Sequence, residues 1–175
     1  MLKDIELRLI AELMKDSFRS DRELAKAMGV SQPTVTRTRK RIKAKELIRE
    51  YTVIPNFQKL GYQIFALTFA TIKTTFTPEE AEKARKTVEQ MAKESTSNIV
   101  SIERGMGLGF TVVIESFHED YASYSKLLED LKRSPYLENT YGTFLIDLND
   151  QVHYRPLTFV TLADHLLSLR TKEPQ

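Results

Sequence analysis

The sequence predicts an α+β protein in two parts, a winged helix-turn-helix followed by a βαββαβ unit. Three observations carry this. Apolar residues recur at helical spacing through the first fifty positions, punctuated by Gly29 and Pro33. From Tyr62 onward the period changes to two. Charge divides at the same place. Residues 1–50 hold thirteen Lys or Arg against eight Asp or Glu, a balance of +5, and residues 51–175 hold thirteen against sixteen, a balance of −3. A positive excess confined to one part suits a polyanion-binding module joined to a second domain.

The first helix is written in LKDIELRLIAELMKD, where Leu2, Ile5, Leu9 and Leu13 share a face and Leu7, Ile10 and Met14 widen it. Ser20-Asp21-Arg22-Glu23 reads as a capping box that opens a short second helix burying Leu24, Ala25 and Met28. Gly29 ends that helix, because glycine takes the left-handed conformation of a helix C-terminus at least cost. Ser31 then caps a third helix with Pro33 in its first turn, where a missing N–H is harmless. A helix, a glycine-containing turn and a second helix make the helix-turn-helix order.

The third helix is oriented by its own residues. At about 100° per residue, Ser31, Val35, Thr38 and Ile42 lie inward, while Pro33, Thr36, Arg37, Lys40 and Ala44 lie opposite, flanked by Gln32 and Lys43. Small hydrogen-bonding residues lead this outer face and cations come after them, as suits a helix whose first turn meets base edges in a major groove. Gln32, Thr34, Thr36 and Arg37, with Pro33 beside them, are the candidate base readers; Arg39, Lys40, Arg41, Lys43 and Arg49 are the candidate phosphate contacts. Arg39 falls near the core edge, which fits a phosphate contact or an ion pair. A charge run is ordinarily just a solvated helix face; here cap, turn, face and charge agree on double-stranded DNA. The β-rich run Leu47–Ile54, stopped by Pro55, predicts a strand or small wing carrying Arg49.

In the second part, YQIFALTFATIKT alternates with both faces apolar. Thr77-Pro78-Glu79-Glu80 is a second capping box, opening a helix to about Glu94 with Ala81, Ala84, Val88, Met91 and Ala92 inward. Next come strand-like NIVSIE, the glycine segment RGMGLG and strand-like FTVVIES. A helix over roughly Glu119–Arg133 carries Tyr121, Tyr124, Leu127, Leu128 and Leu131 at helical spacing, and LENTYGTFLIDL gives a fourth strand. The order β-α-β-β-α-β is the ferredoxin-like split unit, with both helices on one sheet face. The other apolar face needs a cover. A second copy of the chain supplies one and pairs two reading helices on a pseudo-palindromic site. The alternative cover is the amphipathic tail FVTLADHLLSL, through Phe159, Leu162, Ala163, Leu166 and Leu169.

Little points to catalysis or to a cofactor. The G-x-G-x-G of RGMGLGF precedes a strand rather than a helix, so it lacks the helix N-terminus of a phosphate cradle. His118, His153 and His165 are scattered, and Asp147, Asp150 and His153 are explained by a polar turn more simply than by a metal. There is no cysteine, no apolar run of membrane-spanning length and no signal-peptide pattern, so the expectation is a cytoplasmic protein without a metal.

Residues 2–61, from LKDIELRLIAELMKDSFRSDRELAKAMGVSQPTVTRTRKRIKAKELI through REYTVIPNFQKLG, resemble the DNA-binding half of the leucine-responsive regulatory protein (Lrp/AsnC) family, and the βαββαβ half resembles its ligand-responsive domain. The resemblance implies a transcription regulator that forms homodimers, with octamers as a further assembly, and a small-molecule effector such as an amino acid. It divides the chain into a DNA-binding domain (1–50), a strand and linker (51–61), a sensing and dimerisation domain (62–148) and a C-terminal extension (149–175). It also implies an effector loop at Gly105, Met106, Gly107 and Leu108. Where the family commonly has Gly-x-x-Asp there, this chain has Leu108, which offers no carboxylate to an ammonium group. The family also usually has an apolar residue at Arg39 and glycine at Glu46. Lrp-like chains further resemble siroheme decarboxylase subunits, whose helix-turn-helix no longer serves DNA. The basic residues of Arg37–Arg41 beside Gln32, Thr34 and Thr36 favour the regulator over that enzyme.

Overall fold

The computed structural model describes residues 3–73, 77–94, 98–152 and 157–168. They form two units, Met1–Ile54 with His153–Gln175, and Pro55–Val152.

In the first unit, α1 (Asp4–Lys15), α2 (Asp21–Met28) and α3 (Gln32–Ala44) close around Leu9, Leu13, Leu24, Ala25, Met28, Val35 and Ile42. Leu9, Leu24, Val35 and Ile42 are at most 1 % exposed. Each is worth roughly 2 kcal/mol of transfer free energy, so this cluster outweighs any single cap. The α2 box forms as expected: the Ser20 hydroxyl accepts from the Glu23 amide and the Glu23 carboxylate accepts from the Ser20 amide at 2.8 Å. Gly29 is left-handed at φ 65°, and the Val30 amide donates to the Ala25 carbonyl. Helix α3 ends on the same motif with a different residue. The Leu47 amide donates to the Ile42 carbonyl while Glu46 sits at φ 52°, a conformation that strains any side chain with a Cβ.

Two expectations for this unit change. Leu47–Ile54 forms no strand; its β-branched composition favours extended backbone, but a strand exists only with a ladder partner, and the described residues supply none. The sequence reads residues 149–175 as an extension apart from the helix-turn-helix, with the tail helix as a candidate cover for the sheet. Instead α6 (Val160–Ser168) lies against α1. Ala163 is fully buried and Asp164 pairs with Lys15 at 2.8 Å. Helix α1 is accordingly buried on more than one side, with Leu7 and Ala11 enclosed outside the helix-turn-helix core. Leu2 and Leu169 lie outside the described residues.

The second unit opens with a short 3-10 turn, Gln58–Leu60, and runs β1 (Ile64–Ile72), α4 (Pro78–Glu94), β2 (Ile99–Gly107), β3 (Phe110–His118), α5 (Tyr121–Lys132) and β4 (Leu137–Asp147). The sheet is antiparallel in the order β2-β3-β1-β4, the ferredoxin-like arrangement. Thr68 stands opposite Ile114 on one side and Thr143 on the other. The second capping box forms too, with the Glu80 carboxylate accepting from the Thr77 amide at 2.8 Å. In α4, Ala81 is exposed and Ala84 half-buried; the side chains of Val88, Met91 and Ala92 lie outside the described residues.

The two faces of the sheet differ. Ala66, Thr68, Ala70, Val112, Ile114 and Ser116 are buried on the inner face, where Tyr124 of α5 bonds Thr143 through its hydroxyl at 2.6 Å. There the buried His118 imidazole meets the Ser116 and Ser123 hydroxyls at 2.8 and 3.2 Å, and burial pushes its pKa down. On the outer face Phe65, Leu67 and Phe69 are only half-buried, and Phe144 is 61 % exposed. Phe57 covers one corner by stacking on Phe117, with centroids 3.9 Å apart. Gly142 makes room for Phe110, whose ring would lie 3.0 Å from any Cβ placed there.

Candidate nucleic-acid interface

Helix α3 is held by what it buries. Val35, Thr38 and Ile42 point into the core, and the Thr38 hydroxyl donates to the Thr34 carbonyl at 2.8 Å while accepting from Arg41. Ser31 occupies the N-cap position without making a side-chain cap bond; its hydroxyl instead meets that of Thr34 at 2.8 Å. With the inner side fixed, Gln32, Pro33, Arg37, Lys40, Lys43 and Ala44 are exposed. The Arg37 guanidinium folds back only as far as the Pro33 carbonyl, at 3.3 Å. Among the described residues, Lys40 and Lys43 form no ion pair.

The other cations of this stretch are committed within the unit. Arg39 pairs with Asp21 of α2 at 3.0 Å and reaches the Tyr51 hydroxyl at 3.4 Å. That ion pair explains why a guanidinium is tolerated at the edge of the core. Arg41 and Lys45 converge on Glu6 of α1, at 3.3 and 2.9 Å. The Glu6 side chain is fully buried, and a buried carboxylate needs such partners. The Lys3 amide, Lys45 and Arg41 together draw its pKa down to about 2. Asp21 is likewise held below its ordinary value, by the Thr36 hydroxyl first and then by Arg39. Thr36, on the outer face, donates to Asp21 at 2.6 Å.

The residues expected to contact DNA therefore separate into two groups. Gln32, Pro33, Arg37, Lys40 and Lys43 share an open face, and Thr34 is half-buried beside Ser31. Thr36, Arg39 and Arg41 have acidic partners in the protein. Arg49 is solvent-exposed after the helix, 3.4 Å from Glu50. Charge counting missed Glu6, Asp21, Lys45 and Tyr51, because their roles depend on partners 12 to 39 positions away.

In the second unit, Gly105, Met106, Gly107 and Leu108 lie at the tip of the β2–β3 hairpin. Met106 and Leu108 are 98 and 86 % exposed, and Leu108 is left-handed at φ 54°. Together with Phe69 and Phe110 they line a shallow groove of about 200 Å³. The tip carries no acidic side chain, and among the described residues no cluster of His, Asp and Glu could hold a metal. No described helix is long and apolar enough to cross a membrane.

Residues 2–43 match the model of the AsnC-type helix-turn-helix domain. The chain is 36 % identical over 72 residues to the HTH-type transcriptional regulator LrpC of Bacillus subtilis, covering 41 % of this chain and 50 % of that protein. It is 25 % identical over 139 residues to the uncharacterized HTH-type transcriptional regulator PH0061 of Pyrococcus horikoshii, covering 79 % and 88 %. The chain thus spans about half the length of the first curated relatives it matches. The solved structure of LrpC superposes with a TM-score of 0.67 at 24 % identity, over 89 % of this chain and 99 % of that one. The regulator NMB0573 of Neisseria meningitidis, solved as a complex with L-Met, gives 0.71 at 15 %, over 93 % and 99 %. At these identities the structural likenesses establish the fold: a helix-turn-helix with an α+β antiparallel-sheet domain.

Proposed function

We propose that this chain, whose residues 2–43 match the AsnC-type helix-turn-helix and whose homologues are Lrp/AsnC regulators, is a sequence-specific regulator of transcription that binds double-stranded DNA as a homodimer. One observation carries the reading. On α3, Arg37, Lys40 and Lys43 are free of acids and share an exposed face with Gln32 and Pro33, while the remaining cations are neutralised elsewhere. An oriented basic face beginning with small polar residues suits a major groove, with base edges met first and phosphates after. Thr34 and Thr36 add hydroxyls at the same end, and Arg49 adds a cation beside it.

The outer sheet face supports the homodimer. Phe65, Leu67, Phe69 and Phe144 form an apolar surface that a second copy of the same sheet covers isologously. Two such chains present two reading helices and require paired half-sites. For the effector, the hairpin tip Gly105–Leu108 is the candidate site; the likeness to a regulator solved with L-Met supports a small molecule, and the acid-free tip argues against an ammonium bound by that loop. The cytoplasm is the compartment such a regulator works in.

Selection of bound sites from random DNA, with and without a panel of amino acids, tests the proposal. The expected result is a two-fold symmetric motif with half-sites one or more helical turns apart. Phe144→Arg in the full chain should sediment as a monomer and lose the paired motif. Binding that is independent of salt and sequence would refute the reading.

A further inference from the structure

Asp21 belongs to α2, yet its carboxylate engages two polar groups of α3. Thr36 Oγ1 donates to Oδ2 at 2.6 Å, and Arg39 Nε donates to Oδ1 at 3.0 Å. Thr36 Oγ1 also lies 3.2 Å from the Gln32 carbonyl oxygen. A hydroxyl has a single proton, and the shorter, charge-assisted contact takes it. Both partners also hold Asp21 ionised, keeping its carboxyl below the usual range. An ionised carboxylate is an acceptor only. The Thr36 hydroxyl is therefore polarised in one sense, its proton inward and its lone pairs outward.

We infer that Asp21 is a specificity-determining residue of the DNA interface. By taking the Thr36 proton it makes that hydroxyl an acceptor toward the groove, and by pairing Arg39 it keeps that guanidinium from the phosphates. The inference rests on the DNA-binding reading above and adds a base preference to it. In the major groove the hydrogen-bond donors are the adenine N6 and cytosine N4 amino groups, whereas guanine O6 and N7 and thymine O4 accept. Thr36 consequently selects an amino-bearing base edge and disfavours a guanine or thymine edge in the same place. Asp21 would not touch DNA itself; it acts through the residue it polarises.

The test uses the full chain and the sites it selects from random DNA. One position should depend on the Thr36 hydroxyl, identified as the position whose preference relaxes in Thr36→Val. In the wild-type protein that position should be adenine or cytosine. Replacing it with an analogue lacking the exocyclic amino group (purine for adenine, 2-pyrimidinone for cytosine) should cost about tenfold in affinity and tells the two bases apart. Asp21→Asn reverses the polarity. Arg39 claims the amide oxygen and the amide nitrogen donates to Thr36, so the hydroxyl proton passes to the Gln32 carbonyl 3.2 Å away or to a guanine or thymine edge, and the discrimination for an amino-bearing base should relax. Asp21→Ala instead releases Arg39, and the slope of log K against log salt should steepen by about 0.9. An unchanged base preference in Asp21→Asn overturns the inference. So does an unchanged affinity on removing the amino group, which needs no Asp21 variant and so remains decisive if those fail to fold. A wild-type chain that binds no DNA overturns the DNA reading as well, and is seen before any substitution is made.

Discussion

Arg37, Lys40 and Lys43 alternate along α3 and its C-terminal cap with Arg39, Arg41 and Lys45, and the two sets live in different electrostatic surroundings. The first three are exposed and meet no acid among the described residues. The second three are tied to Asp21 and Glu6 at 3.3 Å or less. A run of positive charge is thus not one surface. Part of it neutralises acids on α1 and α2 and fixes where α3 sits; the rest is left to act outward. Exposed ion pairs contribute little, about 0–1 kcal/mol, whereas the Glu6 carboxylate is shielded from solvent and bonded by both Arg41 and Lys45 as well as by the Lys3 amide, a network rather than a single surface pair.

The largest expected effect breaks the outward set. Lys40→Ala combined with Lys43→Ala should reduce the salt slope of DNA binding by about 1.8, roughly 0.9 for each phosphate no longer neutralised, with no change in melting temperature. Arg41→Ala should do the reverse, lowering the melting temperature while leaving the slope unchanged. If Arg41→Ala flattens the slope as much as Lys40→Ala, the division is wrong.

A smaller effect probes the inward set through pH. The Glu6 pKa is depressed to about 2 in the folded chain, below the roughly 4.3 of an unfolded glutamate. The stability it contributes is therefore fully present above the unfolded value and is lost as pH falls toward the folded one. Glu6→Gln should melt lower than wild type at pH 7, and the two curves should converge near pH 2. Parallel melting profiles across that range would show that Glu6 is not the acid titrating.

The smallest effect concerns the end of α3. Glu46→Gly relieves a left-handed residue at φ 52°, and should stabilise by about 0.5–1 kcal/mol after glycine's extra unfolded-state entropy is deducted. A urea midpoint that rises at constant m checks it. DNA affinity should not move, since the residue lies beyond the reading face.

Much of the fold was legible because it is written locally. Ser20 with Glu23 and Thr77 with Glu80 announce their helices within four residues, and alternation over Ile64–Ile72 announces a strand whatever its partner. The orientation of α3 is set by Val35, Thr38 and Ile42 alone. What was not legible depends on distant partners. Arg41 and Glu6 are 35 residues apart and Arg39 and Asp21 are 18 apart, so counting charge along the chain could not tell a staple from a contact. Leu47–Ile54 carries strand composition but composition cannot supply a ladder. The tail was readable as amphipathic, not as a partner for α1. A signal did exist: Leu7, Ile10 and Met14 made the apolar stripe of α1 wider than one neighbour requires.

That second side of α1 has a consequence for the order in which the chain is made. The sheet unit, Pro55–Val152, is an insertion within the first unit, so α1–α3 cannot be completed by the residues translated directly after them. At roughly 5–20 residues per second, synthesis of the insertion separates α3 from α6 by on the order of ten seconds. During that interval the nascent three-helix domain has its own core, but the side of α1 against which α6 packs remains uncovered. That side is a transient adhesive patch, and α6, translated after the insertion, is the helix that closes it.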